Sequence, residues 1–221
     1  WTDTTAALLH RVADWDLNAV IYVSSTSVYG DQGGERADEH TACHPDSPRG
    51  QARLTIEAQV LQSDLPAMVV RPAGIYGRGR SQLDRLADGR MRIVGEGAAY
   101  TNRIHVTDLA AIIEAACDRG TPGDIYLGAD ACPSTQAEVA DYISQTYELP
   151  APTRIPLAEA QVRMSKDVFA MITGSKRLDA SWTRERLGVT LRYPDYRAGL
   201  DAIWRFDAPS LRARAQPRES S

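Results

Sequence analysis

Apolar and polar positions follow two rhythms along the 221-residue chain, and stretches of one alternate with stretches of the other. Residues 2–14 set Ala, Leu and Val at helical spacing behind Thr and Asp capping candidates. A β-branched apolar run follows at 19–24, predicting a buried strand. Residues 30–48 are rich in Gly, Pro and Asp and long enough for a functional loop. The helical rhythm returns at 49–63, and "AMVVRP" (67–72) predicts a second buried strand closed by proline. A short helix at 81–89, a strand at 90–95 and an amphipathic helix over 106–120 come next, the last with Gly120 past its end. A strand within 123–129 and a helix over 134–147 complete the alternation.

Such alternation argues for an α/β sheet, parallel at least in its first part. From residue 150 the pattern becomes mostly helical with proline-marked turns, ending in a short extended piece and a last helix. The expected division is a sheet domain over 1–149, a smaller segment over 150–208 and a flexible polar tail over 209–221. Trp15, Trp182 and Trp204 are expected to serve as core or docking anchors.

Composition narrows the functional classes. A net charge of -4 leaves no bulk basic surface for nucleic acid. The 3 cysteines, Cys43, Cys117 and Cys132, form no CxxC pair, so a disulfide framework or zinc site is not expected and a reducing cytoplasm is the simplest location. No apolar run reaches the roughly 18–20 residues of a membrane span. His40, Cys43 and His44 lie close together, yet "DEHTACH" lacks an i, i+4 histidine pair and reads as a solvated loop. Hydrolase chemistry at Ser25 would want a G-x-S-x-G elbow, which is absent. The chain opens on Trp1 in what reads as the middle of a domain, so a fragment of a longer protein is expected.

Four phrases now line up: "SSTSVYG" (24–30), "VVRPAGIYGRG" (69–79), "RIHVTDLA" (103–110) and "GSKRLDASWTRERLGVTLRYPDYRAGL" (174–200). In this order they resemble the extended and atypical short-chain dehydrogenases/reductases, the NAD-dependent epimerase/dehydratase family, and in the last phrase its YeeZ-like subgroup. The resemblance implies a Rossmann-like doubly wound parallel sheet, N-terminally incomplete here, with a small, mostly helical substrate region. It implies NAD or NADP as cofactor, bound by an intact parent and weakly or not at all by this chain alone. It also implies a small polar or nucleotide-sugar-like substrate, and a homodimer is common in the family.

Carried over residue by residue, the family's active-site hydroxyl falls on Ser25, with Thr26 beside it and Ser24 ending the strand. Pro72, Ala73 and Gly74 fall where the family turn passes the nicotinamide; a plain tight turn is the other reading. Gly74, Gly77 and Gly79 have the wrong spacing for a dinucleotide fingerprint. The YxxxK pair becomes Arg49 and Arg53 in "SPRGQAR". An arginine stays protonated at any ordinary pH, so Arg49 cannot act as proton donor and acceptor, and Arg53 keeps only the cation. Tyr29 reads as packing rather than a substitute acid. Arg103 and His105 are candidate substrate contacts. Their other readings are a surface salt bridge and a ring that fixes the turn, with Thr107 or Asp108 capping the following helix. Lys176 and Arg177 are expected to position the last helices.

Three functions stand open: an atypical NAD(P)-dependent oxidoreductase or epimerase, a non-catalytic dinucleotide- or metabolite-binding protein, and an incomplete chain needing its missing half. No glycine-rich phosphate loop precedes Trp1. The resemblance puts two to three β-α units there, on the order of 60–90 residues.

Overall fold

A computed structural model of the chain describes residues 4–215. Its centre is a parallel three-stranded sheet in which Ala67–Pro72 lies between Val20–Val23 and Ile125–Gly128. The middle strand is buried along its whole length, as a parallel strand covered on both faces must be. Side chains alternate across it. Met68 and Val70 join Leu109, Ile112, Ala115 and Ala116 of the helix Val106–Arg119 in one apolar cluster. Arg71 instead meets Glu57 of the crossover helix Pro48–Leu61. The α/β fold with a parallel sheet is thus the expected one.

Short strands extend this frame, mostly in places where periodicity gave no signal; Arg92–Val94 is the exception, lying inside the strand expected over 90–95. Gly74–Tyr76 pairs in parallel with Arg103–His105, and Arg92–Val94 with Thr153–Ile155. Arg36–Ala37, inside the expected loop, pairs with Arg177–Leu178, and Tyr100–Thr101 pairs antiparallel with Ser134–Thr135. Two or three residues carry too little pattern to predict; the partner strand decides them.

Residues on both sides of position 150 share one apolar cluster: Leu83, Leu86, Ile143 and Tyr147 pack with Tyr196, Leu200, Ile203 and Leu211. The last helix, Tyr196–Ala215, corrects the expectation of a flexible tail from residue 209; residues 216–221 lie outside the described part. Pro209 sits inside this helix and removes one backbone donor. The helix continues because Leu211 is fully buried and Arg214 reaches Asp84 and Asp88 at 3.1 and 2.9 Å. Trp15 is a second correction: it is 59% exposed and anchors no core. Trp182 stacks on Tyr126, and Trp204 packs on Tyr147, as anchors do.

One close approach fixes how the last helix docks. A Cβ built at Gly199 would lie 2.0 Å from the Tyr76 hydroxyl oxygen and 2.7 Å from the ring carbon that bears it. Gly199→Ala is therefore expected to lower stability by about 1–3 kcal/mol, the cost of overpacking. Urea unfolding would show a lower midpoint at an unchanged slope; an unchanged midpoint would refute this packing.

Candidate functional site

The strand Val20–Val23 ends at Ser24, and the chain turns at once into a 3₁₀ segment, Thr26–Tyr29. Ser25 caps that segment: its Oγ accepts from the Ser27 N–H at 3.1 Å. The hydroxyl-rich stretch thus has a local reason, since short hydroxyl side chains satisfy the free donors of such a turn. The cap does not use everything. Ser25 is half-buried, and its own hydroxyl hydrogen stays free to donate. The hydroxyl oxygens of Ser24 and Ser27 are shut from solvent without a hydrogen-bond partner. Thr26 is buried.

The crossover helix starts against this turn. Ser47 caps it by accepting from the Gly50 N–H at 3.1 Å, and Pro48 holds the first helical position. Gly50 lets the two segments meet: a Cβ there would lie 2.9 Å from the Ser27 carbonyl oxygen. From this start, Arg49, Arg53 and Glu57 fall at successive i, i+4 positions on one stripe. Arg53 donates through Nη1 to the Ser24 carbonyl at 3.0 Å, while Arg49 is exposed. Glu57 takes three donations from the Arg71 guanidinium, at 2.7, 3.1 and 3.2 Å. The fourth Arg71 contact is a donation to the Tyr29 hydroxyl at 3.0 Å. Burial works against the Arg71 charge, but Glu57 and Tyr29 together more than reverse this and its pKa rises. Burial likewise raises the pKa of Tyr29, with Arg71 opposing, so this phenol is a packed, protonated group. Cys43 borders the same cluster, and burial pushes its thiol up too.

Pro72, Ala73 and Gly74 leave the middle strand beside this turn. Ala73 N–H donates to the Gly128 carbonyl at 2.8 Å and Gly74 N–H to the Asn102 carbonyl at 3.1 Å. Gly74 is exposed, whereas Pro72 and Ala73 are buried. The C-terminal strand ends, Ser24 and Pro72 to Gly74, therefore share an edge with Ser25 and Arg53.

Arg103 and His105 bound the short strand that pairs with Gly74–Tyr76, and Arg103 lies opposite Gly74. The Arg103 side chain is buried, donating to Ser134 Oγ at 2.7 Å and to Thr101 Oγ1, with its guanidinium over the Tyr196 ring. These bonds turn the guanidinium into the core. His105 is packed between Tyr76 and Tyr193, and its Nδ1 accepts from the Thr107 N–H at 3.2 Å. Burial lowers its pKa, so the ring is neutral and fixes the turn. The expected cap, Thr107 or Asp108, is corrected: His105 caps the helix. Asp108 is buried and accepts from the backbone N–H groups of Arg192 and Tyr193 at 2.8 and 2.9 Å.

Two residues of the site frame escaped the sequence reading. Arg71 lies in an otherwise apolar strand, and a buried arginine demands an acid partner, which was signal enough. Lys176 was read only as a positioner of the last helices. Its Nζ donates to the Gly30 carbonyl at 2.7 Å, tying the end of the hydroxyl turn to the C-terminal segment, and burial lowers its pKa. Among the described residues no group of three or more His, Cys, Asp or Glu is placed to hold a metal ion.

A parallel sheet with crossover helices and a polar turn at its C-terminal strand ends defines a Rossmann-type α/β protein, the class that binds ligands at that edge. The model of the NAD dependent epimerase/dehydratase family matches residues 2–128, and the chain belongs to that family. A conserved protein of unknown function from Silicibacter pomeroyi DSS has a structure 33% identical, with a TM-score of 0.83 over 92% of this chain and 72% of that one. The human epimerase family protein SDR39U1, solved with NADPH, is 20% identical with a TM-score of 0.80 over 92% of this chain and 72% of its own. A 3-diazoavenalumate denitrifying reductase from Streptomyces is 24% identical over 90% of this chain and 69% of its own length.

Two predictions follow from the buried charges. Glu57→Ala leaves Arg71 buried without its carboxylate and is expected to cost about 3–5 kcal/mol, against about 0.5–1.5 kcal/mol for Tyr29→Phe. Equal costs in chemical denaturation would show that Glu57 is not the main partner. Asp130 is 2% exposed, and burial, opposed by Arg103, pushes its carboxyl up to about 7. A carboxyl raised on folding favours the folded state below its unfolded pKa of about 3.9. That contribution is lost as pH rises towards 7, at up to about 1.4 kcal/mol per pH unit. Asp130→Asn should flatten the fall in stability between pH 4 and 7; an unchanged slope would assign it to other groups.

Proposed function

We propose that this chain carries the substrate-facing half of an NAD(P)-dependent oxidoreductase whose chemistry runs without a tyrosine acid. The observation that carries this reading is the bond from Arg53 to the Ser24 carbonyl, which sets a fixed cation beside the Ser25 hydroxyl at the strand ends.

The family's cofactor fits these residues in part. Pro72, Ala73 and Gly74, with the unpartnered Ser24 and Ser27 hydroxyls, would hold the ring end. The pyrophosphate end has no cradle among the described residues. Gly77 exchanges backbone bonds with Arg80, and the next helix, Gln82–Ala87, is closed by the Ser81–Asp84 capping box. When bound, a nicotinamide supplies or accepts a hydride.

The chain's own residues do the rest. Ser25 donates its hydroxyl to a polar atom of the substrate. Arg53 holds positive charge where negative charge would develop, which is electrostatic stabilisation without proton transfer. The arrangement suits acceptors whose reduction draws its proton from water or expels a leaving group. The Streptomyces relative is named a reductase, which favours reduction over epimerisation. A non-catalytic binding protein is the second reading, favoured by the loss of the same tyrosine and lysine.

NADH and NADPH are titrated against the longest form of the protein that contains this chain, where binding is expected to raise the emission of the reduced ring. No binding at millimolar cofactor would remove both readings. With a ketone or diazo acceptor, Ser25→Ala should cut turnover about 10- to 100-fold at unchanged cofactor affinity. Binding without turnover on any acceptor would leave the second reading standing.

A further inference from the structure

The tyrosine–lysine pair has been replaced by two guanidinium groups, and neither has an acid. Among the described residues the salt bridges engage Arg36, Arg71, Arg78, Arg90, Arg163, Arg186 and Arg214, but not Arg49 or Arg53. Glu57, one turn beyond Arg53, is taken up by Arg71. Arg53 spends Nη1 on the Ser24 carbonyl, which leaves Nε and Nη2 to donate. In a chain of net charge -4, two unpaired arginines on one stripe beside the strand ends are a local excess of positive charge.

A second observation marks the same turn. Ser24 is 4% exposed and its Oγ has no partner, nor has the buried Oγ of Ser27. Buried hydroxyls are normally satisfied, and a pair left open in one turn points to a group that binds there.

We infer that Arg49 and Arg53, with the Ser25 hydroxyl, form a subsite for the carboxylate of an organic acid. The argument for carboxylate over phosphate comes from the helix start. A helix N-terminus offers free N–H groups to phosphate. Here Pro48 has no N–H, and the Gly50 and Gln51 N–H groups are donated to Ser47, so the first turn keeps a single free donor, the Arg49 N–H. Phosphate, with its further oxygens, wants several such donors, whereas the planar guanidinium fork alone meets both oxygens of a carboxylate. The substrate of the reaction proposed above is then an organic acid, held by its carboxylate with its reducible group toward Pro72–Gly74. Calling the bound acid a substrate rests on that proposal; the subsite itself does not.

The test is a calorimetric titration of the full chain with benzoate, with its neutral isostere benzamide, and with inorganic phosphate. Benzoate is expected to bind, benzamide at least tenfold more weakly, and Arg49→Gln to weaken benzoate about tenfold or more without changing benzamide. Arg49 is exposed, so its variant is expected to fold; Arg53→Gln is compared only where its unfolding midpoint matches the parent. Arg49→Lys should recover part of the affinity. Equal binding of benzoate and benzamide, no benzoate binding, or full affinity in Arg49→Gln would each overturn the subsite. Tighter binding of phosphate than of benzoate would overturn the carboxylate assignment. NADPH and benzoate titrations of the longest form of the protein that contains this chain keep the two proposals apart. Benzoate binding without NADPH binding sinks only the oxidoreductase, and the reverse sinks only the subsite.

Discussion

The buried ion pair of Arg71 with Glu57 holds the rest of the site in register. Taking two charges out of water costs several kcal/mol per ion, and their attraction offsets this only where the remaining donors and acceptors are also met. Here the guanidinium makes three bonds to Glu57 and one to Tyr29. Those bonds join the middle strand, the crossover helix and the 3₁₀ turn. Apolar side chains of similar volume could hold the three elements together, but would let the helix rotate or slide. A directional fork does not. With Glu57 fixed, the residue one turn earlier on the same stripe must face the strand end, and that residue is Arg53.

The outer wall of the site is set from far along the chain. Ser175 gives its carbonyl to the N–H groups of Gln32 and Gly34 and its Oγ to Tyr100 N–H. Asn102 donates through Nδ2 to the Lys176 carbonyl and accepts from Leu178 N–H through Oδ1. With Lys176 on the Gly30 carbonyl, these bonds lace one short segment to both the hydroxyl turn and residues 100–102, which lead into the strand paired with Gly74–Tyr76. The C-terminal region therefore shapes the cleft through backbone bonding more than through bulk.

How much of this was legible depends on the length of the signal. The covered strands and the helices Pro48–Leu61 and Val106–Arg119 repeat their pattern often enough to be read from sequence. The two-residue pairings of Arg36–Ala37 and Tyr100–Thr101 are not, because they owe their state to partners more than 30 residues away. Trp15 misled for a related reason: an aromatic in an apolar stretch looks like core, but burial is a property of what covers it. Ser25 and Arg53 were legible only through family resemblance. Nothing in their local pattern says that a serine just past a strand end stays half-buried at this edge, or that an arginine at the sixth position of a helix reaches back to it.

On the proposed reading, arginines at the two positions where the resemblance puts tyrosine and lysine are more than a loss. A tyrosine–lysine pair works because one member can give up a proton and take it back while the other tunes it. Two guanidinium groups can do neither at ordinary pH. What they add is charge that pH does not remove, held in place by an ion pair deeper in the core. A site so built acts on its ligand through attraction and orientation, and its specificity follows the ligand's charge more than the ligand's acidity. Had the stripe merely decayed, an acid nearby or a neutral replacement would be expected to quench the charge. Arg49 and Arg53 keep theirs without an acid partner, Arg53 donating to the Ser24 carbonyl, while Glu57 stays committed to Arg71.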